Sequence, residues 1–124
     1  MGSTYHVISI EDDQGIFNLI EATLRPLPVA CHHTKNGYEA LNIIPLLKPD
    51  VIVLDIALPD IHGWDVLELI NQMDIEQPDV VILSALLEPG RPEISHKDQV
   101  DSFMSKPFIP AELRHTVSEL LGLS

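Results

Sequence analysis

A chain of 124 residues, 45% hydrophobic with ten prolines and six glycines, has the size and composition of one globular domain that buries its core without disulfide or metal staples. Its formal charge of −12 argues against direct nucleic-acid binding, because phosphate backbones repel such a surface, and no apolar run reaches the roughly 18 residues of a membrane span. A single cysteine, Cys31, excludes an internal disulfide and fits a reducing cytoplasm; Met1-Gly2-Ser3 has no signal-peptide character and reads as a cloning scar.

Along the chain, strand and helix patterns alternate five times. The first strand is expected at about Tyr5–Ile10 and runs into the acidic Glu11-Asp12-Asp13. A helix follows, with Ile16, Leu19, Ile20 and Leu24 at helical spacing, Asp12 or Asp13 as its cap, and Pro26 and Pro28 beyond its end. Residues 29–32 read as the second strand, and the apolar neighbours Val29 and Ala30 predict a buried Cys31 thiol. Asn36-Gly37 marks a turn into a short helix that Pro45 stops or kinks near Ile44. The third strand, residues 51–54, is apolar on both faces and ends at Asp55. A helix over about 64–73 turns Val66, Leu67, Ile70 and Met73 inward. The fourth strand, residues 80–83, ends at Ser84, and a short fifth lies near residues 103–105. The last helix opens at Pro110, carries Leu113, Val117, Leu120 and Leu121 inward, and ends at Gly122.

Continuous β-branched strands between helices indicate a parallel sheet covered on both faces. The class is therefore α/β, a flavodoxin-like (βα)5 three-layer sandwich with a five-stranded sheet in the order 2-1-3-4-5. In such sheets ligands sit beyond the carboxyl ends of the strands. Polar residues stand at those ends: Glu11-Asp12-Asp13 after the first strand, Asp55 after the third, Ser84 after the fourth, and Lys106-Pro107 after the fifth. In the proposed order all of them share one rim.

Two carboxylates about 4 Å apart repel by roughly 4 kcal/mol at an effective dielectric near 20. A cluster of Glu11, Asp12 and Asp55 therefore needs either raised pKa values or a cation, and Mg²⁺, a hard ion that takes one or two carboxylates and keeps waters, suits it. Lys106 adds a fixed positive charge and Ser84 a hydroxyl donor. An aspartate between a divalent cation and a lysine is a nucleophile toward a phosphoryl donor, with catalysis by positioning and charge neutralisation.

From Tyr5 to Leu121 the chain resembles the receiver domains of two-component response regulators, in particular the chemotaxis-regulator type. The resemblance rests on Ile10-Glu11-Asp12-Asp13, on Leu54-Asp55-Ile56-Ala57-Leu58-Pro59-Asp60-Ile61-His62-Gly63, on Leu83-Ser84-Ala85 and on Lys106-Pro107-Phe108. It implies Asp55 as the phosphoryl acceptor, Asp12 as a direct Mg²⁺ ligand with Glu11 acting through water, and the Ala57 carbonyl as a further ligand. It also implies Ser84 and Phe103 as the switch pair and a cis Lys106–Pro107 bond. A histidine kinase or phosphotransfer protein would supply the phosphoryl group. A downstream effector protein or domain would read the switched surface, with a homodimer open through the same face. The domain would span residues 1–124, be cytoplasmic, contact neither nucleic acid nor membrane directly, and catalyse no reaction beyond its own phosphorylation and slow dephosphorylation.

Three departures qualify the resemblance. Residues 86–99 contain Pro89, Gly90 and Pro92 where a helix should begin, and Gln99-Val100 replaces the usual small pair. Phe103 has no hydroxyl. Ala57 and Leu86 stand where side chains tune loss of the phosphate: alanine orients no water and leucine excludes it, which predicts a long-lived phosphoryl group. The six histidines, His6, His32, His33, His62, His96 and His115, show no ligand spacing, since adjacent His32 and His33 on a strand point to opposite faces. The main rival is a pseudo-receiver, a binding module that keeps the fold and signals by contact alone. A phosphatase using a second acid two residues after the nucleophile is disfavoured by Ala57. A flavin-binding domain lacks a phosphate-cradling loop after the first strand.

Overall fold

The computed structural model describes residues 4–85 and 100–123. The expectations placed on residues 1–3 and on the 86–99 connection, including Leu86 and His96, lie outside the described residues. Five strands, β1 (Tyr5–Ile10), β2 (Val29–Thr34), β3 (Val51–Asp55), β4 (Asp79–Ser84) and β5 (Ser102–Ser105), form one parallel sheet in the order β2-β1-β3-β4-β5. Four helices are described: α1 (Gln14–Leu24), α2 (Gly37–Leu47), α3 (Gly63–Asn71) and α4 (Pro110–Leu120).

Strand alternation splits the core in two. Ile8, Ile10, Ile52, Leu54, Val80 and Ile82 face α2 and α3, meeting Ala40, Ile44, Val66, Leu67 and Ile70. Val7, Val51, Val53, Val81 and Leu83 face α1 and α4, meeting Ile20, Leu24, Leu113 and Val117. All five residues of β3 are buried. Its carboxyl end is thereby held between β1 and β4, with Asp55 at the tip.

Several local expectations change. Asp13, not Asp12, caps α1, accepting from the Ile16 amide at 3.0 Å. Leu19 is 45% exposed, because α1 buries the narrower stripe of Ile20, Thr23 and Leu24. Strand β2 runs two residues further than expected, since its register with β1 continues to Thr34. Helix α2 passes through Pro45 to Leu47; the proline falls in the last turn, and Lys48, at φ 53°, closes the helix by donating to the Ile44 carbonyl. Met73 and Leu121 pack partly buried against the core from just beyond the helices assigned to them. Cys31 is only half-buried, because β2 is the edge strand; burial first, then the charge of Glu21, pushes its thiol up to about 11. The histidines are not all apart: His6 Nδ1 and His32 Nε2, on neighbouring strands, lie 3.1 Å from each other. Two ring nitrogens face one another here.

Candidate functional site

The four strand ends carry the predicted groups to one rim. Glu11 follows β1, and its amide donates to the Thr34 carbonyl at 3.0 Å, so it is locked to the end of β2. Its side chain turns inward and is buried, as are those of Asp55 and Ser84, whereas Asp12 is exposed. Lys106 follows β5; its amide donates to the Ser84 carbonyl at 3.2 Å, and the Lys106–Pro107 bond is cis.

The Lys106 ammonium sits between two carboxylates, 2.6 Å from Glu11 Oε1 and 3.1 Å from Asp55 Oδ2. Each carboxylate turns its other oxygen to a backbone amide: Glu11 Oε2 accepts from Asp13 at 3.2 Å, and Asp55 Oδ1 from Ala57 at 3.0 Å. The lysine thus bridges Glu11 and Asp55 directly. Burial, reinforced by the Asp55 charge and opposed by Lys106 and the Asp13 amide, pushes Glu11 up to about 7. Burial alone would pull the Lys106 ammonium down, but its bond to Glu11 and the Asp55 charge outweigh that and hold it above the usual lysine value.

Glu11, Asp12 and Asp55 each offer a carboxylate oxygen, and these oxygens lie within 4.8 Å of one another. When all three are ionised, Lys106 cancels one of their charges and two remain, the charge of one divalent cation. An all-oxygen donor set fits a hard ion such as Mg²⁺. The residues present thus fit the cation that the sequence implied.

Two further predicted residues, Ala57 and Phe103, lie on the loop after β3 and on β5. Ala57 is exposed and tied to Asp55 through its amide. Phe103 is 38% exposed on β5, its ring centroid 6.2 Å from that of buried Trp64 at the start of α3, with the planes at 49°.

Other contributors escaped the sequence reading. Asp60, in the loop after Asp55, reaches across to the start of α2 and accepts from the Gly37 and Tyr38 amides at 2.9 Å each. Burial, the largest single influence, would raise its pKa, but the Tyr38, Gly37, Ile61 and Asp60 amides together outweigh it and hold the carboxyl below its usual value. Gly37 must be glycine for this approach, since a Cβ there would lie 2.1 Å from Ile61 Cγ2. His62 caps α3, its Nδ1 accepting from the Trp64 amide at 3.3 Å. The only signal for Asp60 was its place five residues after Asp55, and no local rule predicts a partner on another helix.

Comparison with known proteins gives the same reading. The family model for the response regulator receiver domain matches residues 7–118. The alkaline phosphatase synthesis transcriptional regulatory protein PhoP of Bacillus subtilis (strain 168) is 29% identical over 95% of this chain and 49% of its own length. The chain spans about half the length of the curated relatives it matches. Among solved structures, the receiver domain of the Francisella response regulator 1452 is 29% identical with a TM-score of 0.85, covering 95% of this chain and 97% of that one. The receiver domain of the Pseudomonas aeruginosa PAO1 sensor histidine kinase PA1611, solved with magnesium coordinated in its active-site cleft, shares the fold at 23% identity and a TM-score of 0.85, over 97% of this chain and 99% of that one. By its sequence, its strand order and the acidic rim with its lysine, this chain belongs to the response-regulator receiver family of two-component signalling.

Proposed function

We propose that the chain accepts a phosphoryl group on Asp55 in a Mg²⁺-dependent reaction and so switches a protein-binding surface. The observation that carries this reading is the convergence of Glu11, Asp12 and Asp55 within 4.8 Å, with Lys106 3.1 Å from Asp55. Of the three acids, Asp55 is anchored by both the Ala57 amide and Lys106 and keeps 5% of its surface exposed at the strand tip. Glu11 is sealed at 1% exposure and pushed up to about 7, while Asp12 stands at the open edge of the site. An Asp55 oxygen forms the bond to phosphorus as the bond from phosphorus to the donor's leaving atom breaks, and the leaving group departs with the electron pair. Lys106 and the Ala57 amide hold the carboxylate in place and offer positive charge to the incoming phosphoryl oxygens. Glu11, Asp12, Asp55 and the Ala57 carbonyl would hold Mg²⁺, which, when bound, neutralises phosphoryl charge.

The donor would be a phosphohistidine on a kinase or phosphotransfer protein, and the reader an effector protein or domain engaging the face around Phe103. Ser84 at the end of β4 and Phe103 on β5 are the switch residues, with the phosphate biasing a two-state equilibrium. The chain acts as one receiver domain, residues 1–124, in the cytoplasm. Among the described residues no helix is long and apolar enough to cross a membrane. Beyond its own phosphorylation and dephosphorylation it is not an enzyme. Ala57, whose methyl cannot orient water, makes the phosphoryl group long-lived; a half-life of seconds would overturn that.

The test is incubation with Mg²⁺ and acetyl phosphate, read by intact mass beside Asp55→Asn. A phosphoryl adduct on the native chain alone supports the reading. No adduct and no response to Mg²⁺ favours a contact-only pseudo-receiver.

A further inference from the structure

The acidic loop at residues 11–13 is fixed from outside by a residue that phosphoryl transfer itself does not require. His33 stands near the end of edge strand β2, and its Nε2 lies 2.6 Å from the Glu11 carbonyl oxygen. A carbonyl only accepts, so Nε2 carries the proton and donates. The imidazole lies flat on the ring of Phe17 in α1, with centroids 4.0 Å apart and planes at 4°. That stack sets the plane of the ring, and the bond to the Glu11 carbonyl sets which edge of it faces the loop.

The Glu11 carbonyl and the Asp12 amide belong to one rigid peptide plane. Holding the carbonyl therefore sets the direction in which the chain enters Asp12. On the far side, the Asp13 amide donates to Glu11 Oε2 at 3.2 Å, which holds the plane by which the chain leaves Asp12. Asp13 then caps α1 at the Ile16 amide, and its carbonyl accepts from the Phe17 amide at 3.1 Å. The contacts close a circuit from Glu11 to His33, to Phe17, to Asp13 and back to Glu11. Both peptide planes flanking Asp12 are held, and its side-chain torsions alone stay free. A ligand ordered before the ion arrives loses less freedom on binding.

We propose that His33 is a positioning residue for the cation site: by holding the Glu11–Asp12 peptide it presets the backbone from which the Asp12 carboxylate reaches the ion. The inference rests on the receiver reading above, in which Glu11, Asp12 and Asp55 take Mg²⁺.

The test compares the native chain with His33→Phe, which keeps a ring on Phe17 but has no donor, and His33→Gln, which keeps an N–H donor and loses the stack. Mg²⁺ affinity is measured by calorimetry, and phosphorylation by acetyl phosphate is followed by intact mass over a series of Mg²⁺ concentrations. His33→Phe is expected to weaken Mg²⁺ about 10-fold, the loss usual when a partner supporting a metal ligand is removed. The Mg²⁺ needed for phosphorylation shifts with it, the rate at saturating Mg²⁺ does not change, and His33→Gln recovers most of the affinity. Equal affinity in native and His33→Phe, or a glutamine variant no better than phenylalanine, overturns the proposal while leaving the receiver reading intact. If the native chain binds Mg²⁺ but takes no phosphoryl group, the receiver reading fails and the affinities alone decide the role of His33. A native chain that binds no Mg²⁺ overturns both. Should His33→Phe fail to fold, the native protein decides through its imidazole ¹⁵N spectrum: a proton on Nε2 is expected, and a proton on Nδ1 alone overturns the assignment.

Discussion

Both ends of the sheet gather carboxylates, and only one end draws them together around a lysine. At the amino end, Asp50 Oδ2 accepts from the His6 amide and Asp101 Oδ2 from the Val80 amide, each at 2.8 Å. These two acids satisfy donors at or beside strand starts and so serve structure. Among the described residues no lysine or arginine pairs with them. At the carboxyl end, Glu11 and Asp55 also accept backbone amides, but each keeps a second oxygen for Lys106, and Asp12 completes a set of three facing one another. A cluster of acids is thus not by itself a site; what separates the two ends is convergence around a held cation.

The sharpest way to break this comparison is to remove one acid from each end. Asp55→Asn is expected to abolish the phosphoryl adduct formed with acetyl phosphate and Mg²⁺. Asp101→Ala loses one hydrogen bond, costs about 1 kcal/mol in urea unfolding, and leaves the adduct intact. An Asp101 variant that takes no phosphoryl group would erase the distinction between the ends.

Next in size is the lysine. Lys106→Met leaves Glu11 and Asp55 buried beside each other without their shared partner, and without metal the protein is expected to lose about 3 kcal/mol. Mg²⁺ restores much of that loss by mass action, seen as a larger rise in Tm than in the native chain. The variant binds Mg²⁺ about 10-fold tighter, because the ammonium no longer competes for the same oxygens, yet is phosphorylated more slowly. Weaker Mg²⁺ binding in calorimetry would show that Lys106 orders the acids more than it competes with the ion.

Strand ends were legible in the sequence because buried parallel strands write long apolar runs, and the first polar residue after each run marks the rim. Glu11, Asp55 and Ser84 stand at such run ends, whereas Lys106 follows the short β5, whose alternate residues are exposed. What the sequence did not show were groups whose partners lie on other elements: His33 on the Glu11 carbonyl, Asp60 on α2, and the meeting of His6 with His32. Those depend on inter-strand register and loop path, which no local pattern encodes. The Cys31 expectation failed for a related reason, since an apolar strand reads alike at the centre and at the edge of a sheet.

A smaller effect is expected from the loop between the acceptor and α3. The Gly63 amide donates to the Ile56 carbonyl at 3.0 Å, and a Cβ on Gly63 would lie 2.6 Å from the Ile56 Cα. Backbone gives way less readily than a side chain, so Gly63→Ala is expected to cost about 2 kcal/mol in urea unfolding. The displaced residue is next to Asp55, so Mg²⁺ affinity should fall with stability. Unchanged stability would mean that this rim is looser than its contacts imply.

The least effect belongs to the amino end and has the opposite sign. Burial first, then the charges of Asp101 and Asp50, hold Asp79 above the ordinary carboxylate value of 3.8. A carboxyl raised in the folded state opposes folding once it ionises: the penalty is absent below 3.8, grows as pH rises through the folded value, and is complete at neutral pH. Asp79→Asn removes it and is expected to stabilise the protein at pH 7 by about 0.5 kcal/mol, a figure kept small by solvent screening. The gain should vanish in acid, where Asp79 is protonated in both states. Urea titrations at neutral and acid pH check this, and an Asn variant less stable at pH 7 would show that Asp79 holds this end together. A stabilising loss of charge at one end, set against Lys106-dependent charge at the other, separates acids tolerated at a strand start from acids gathered to bind a cation.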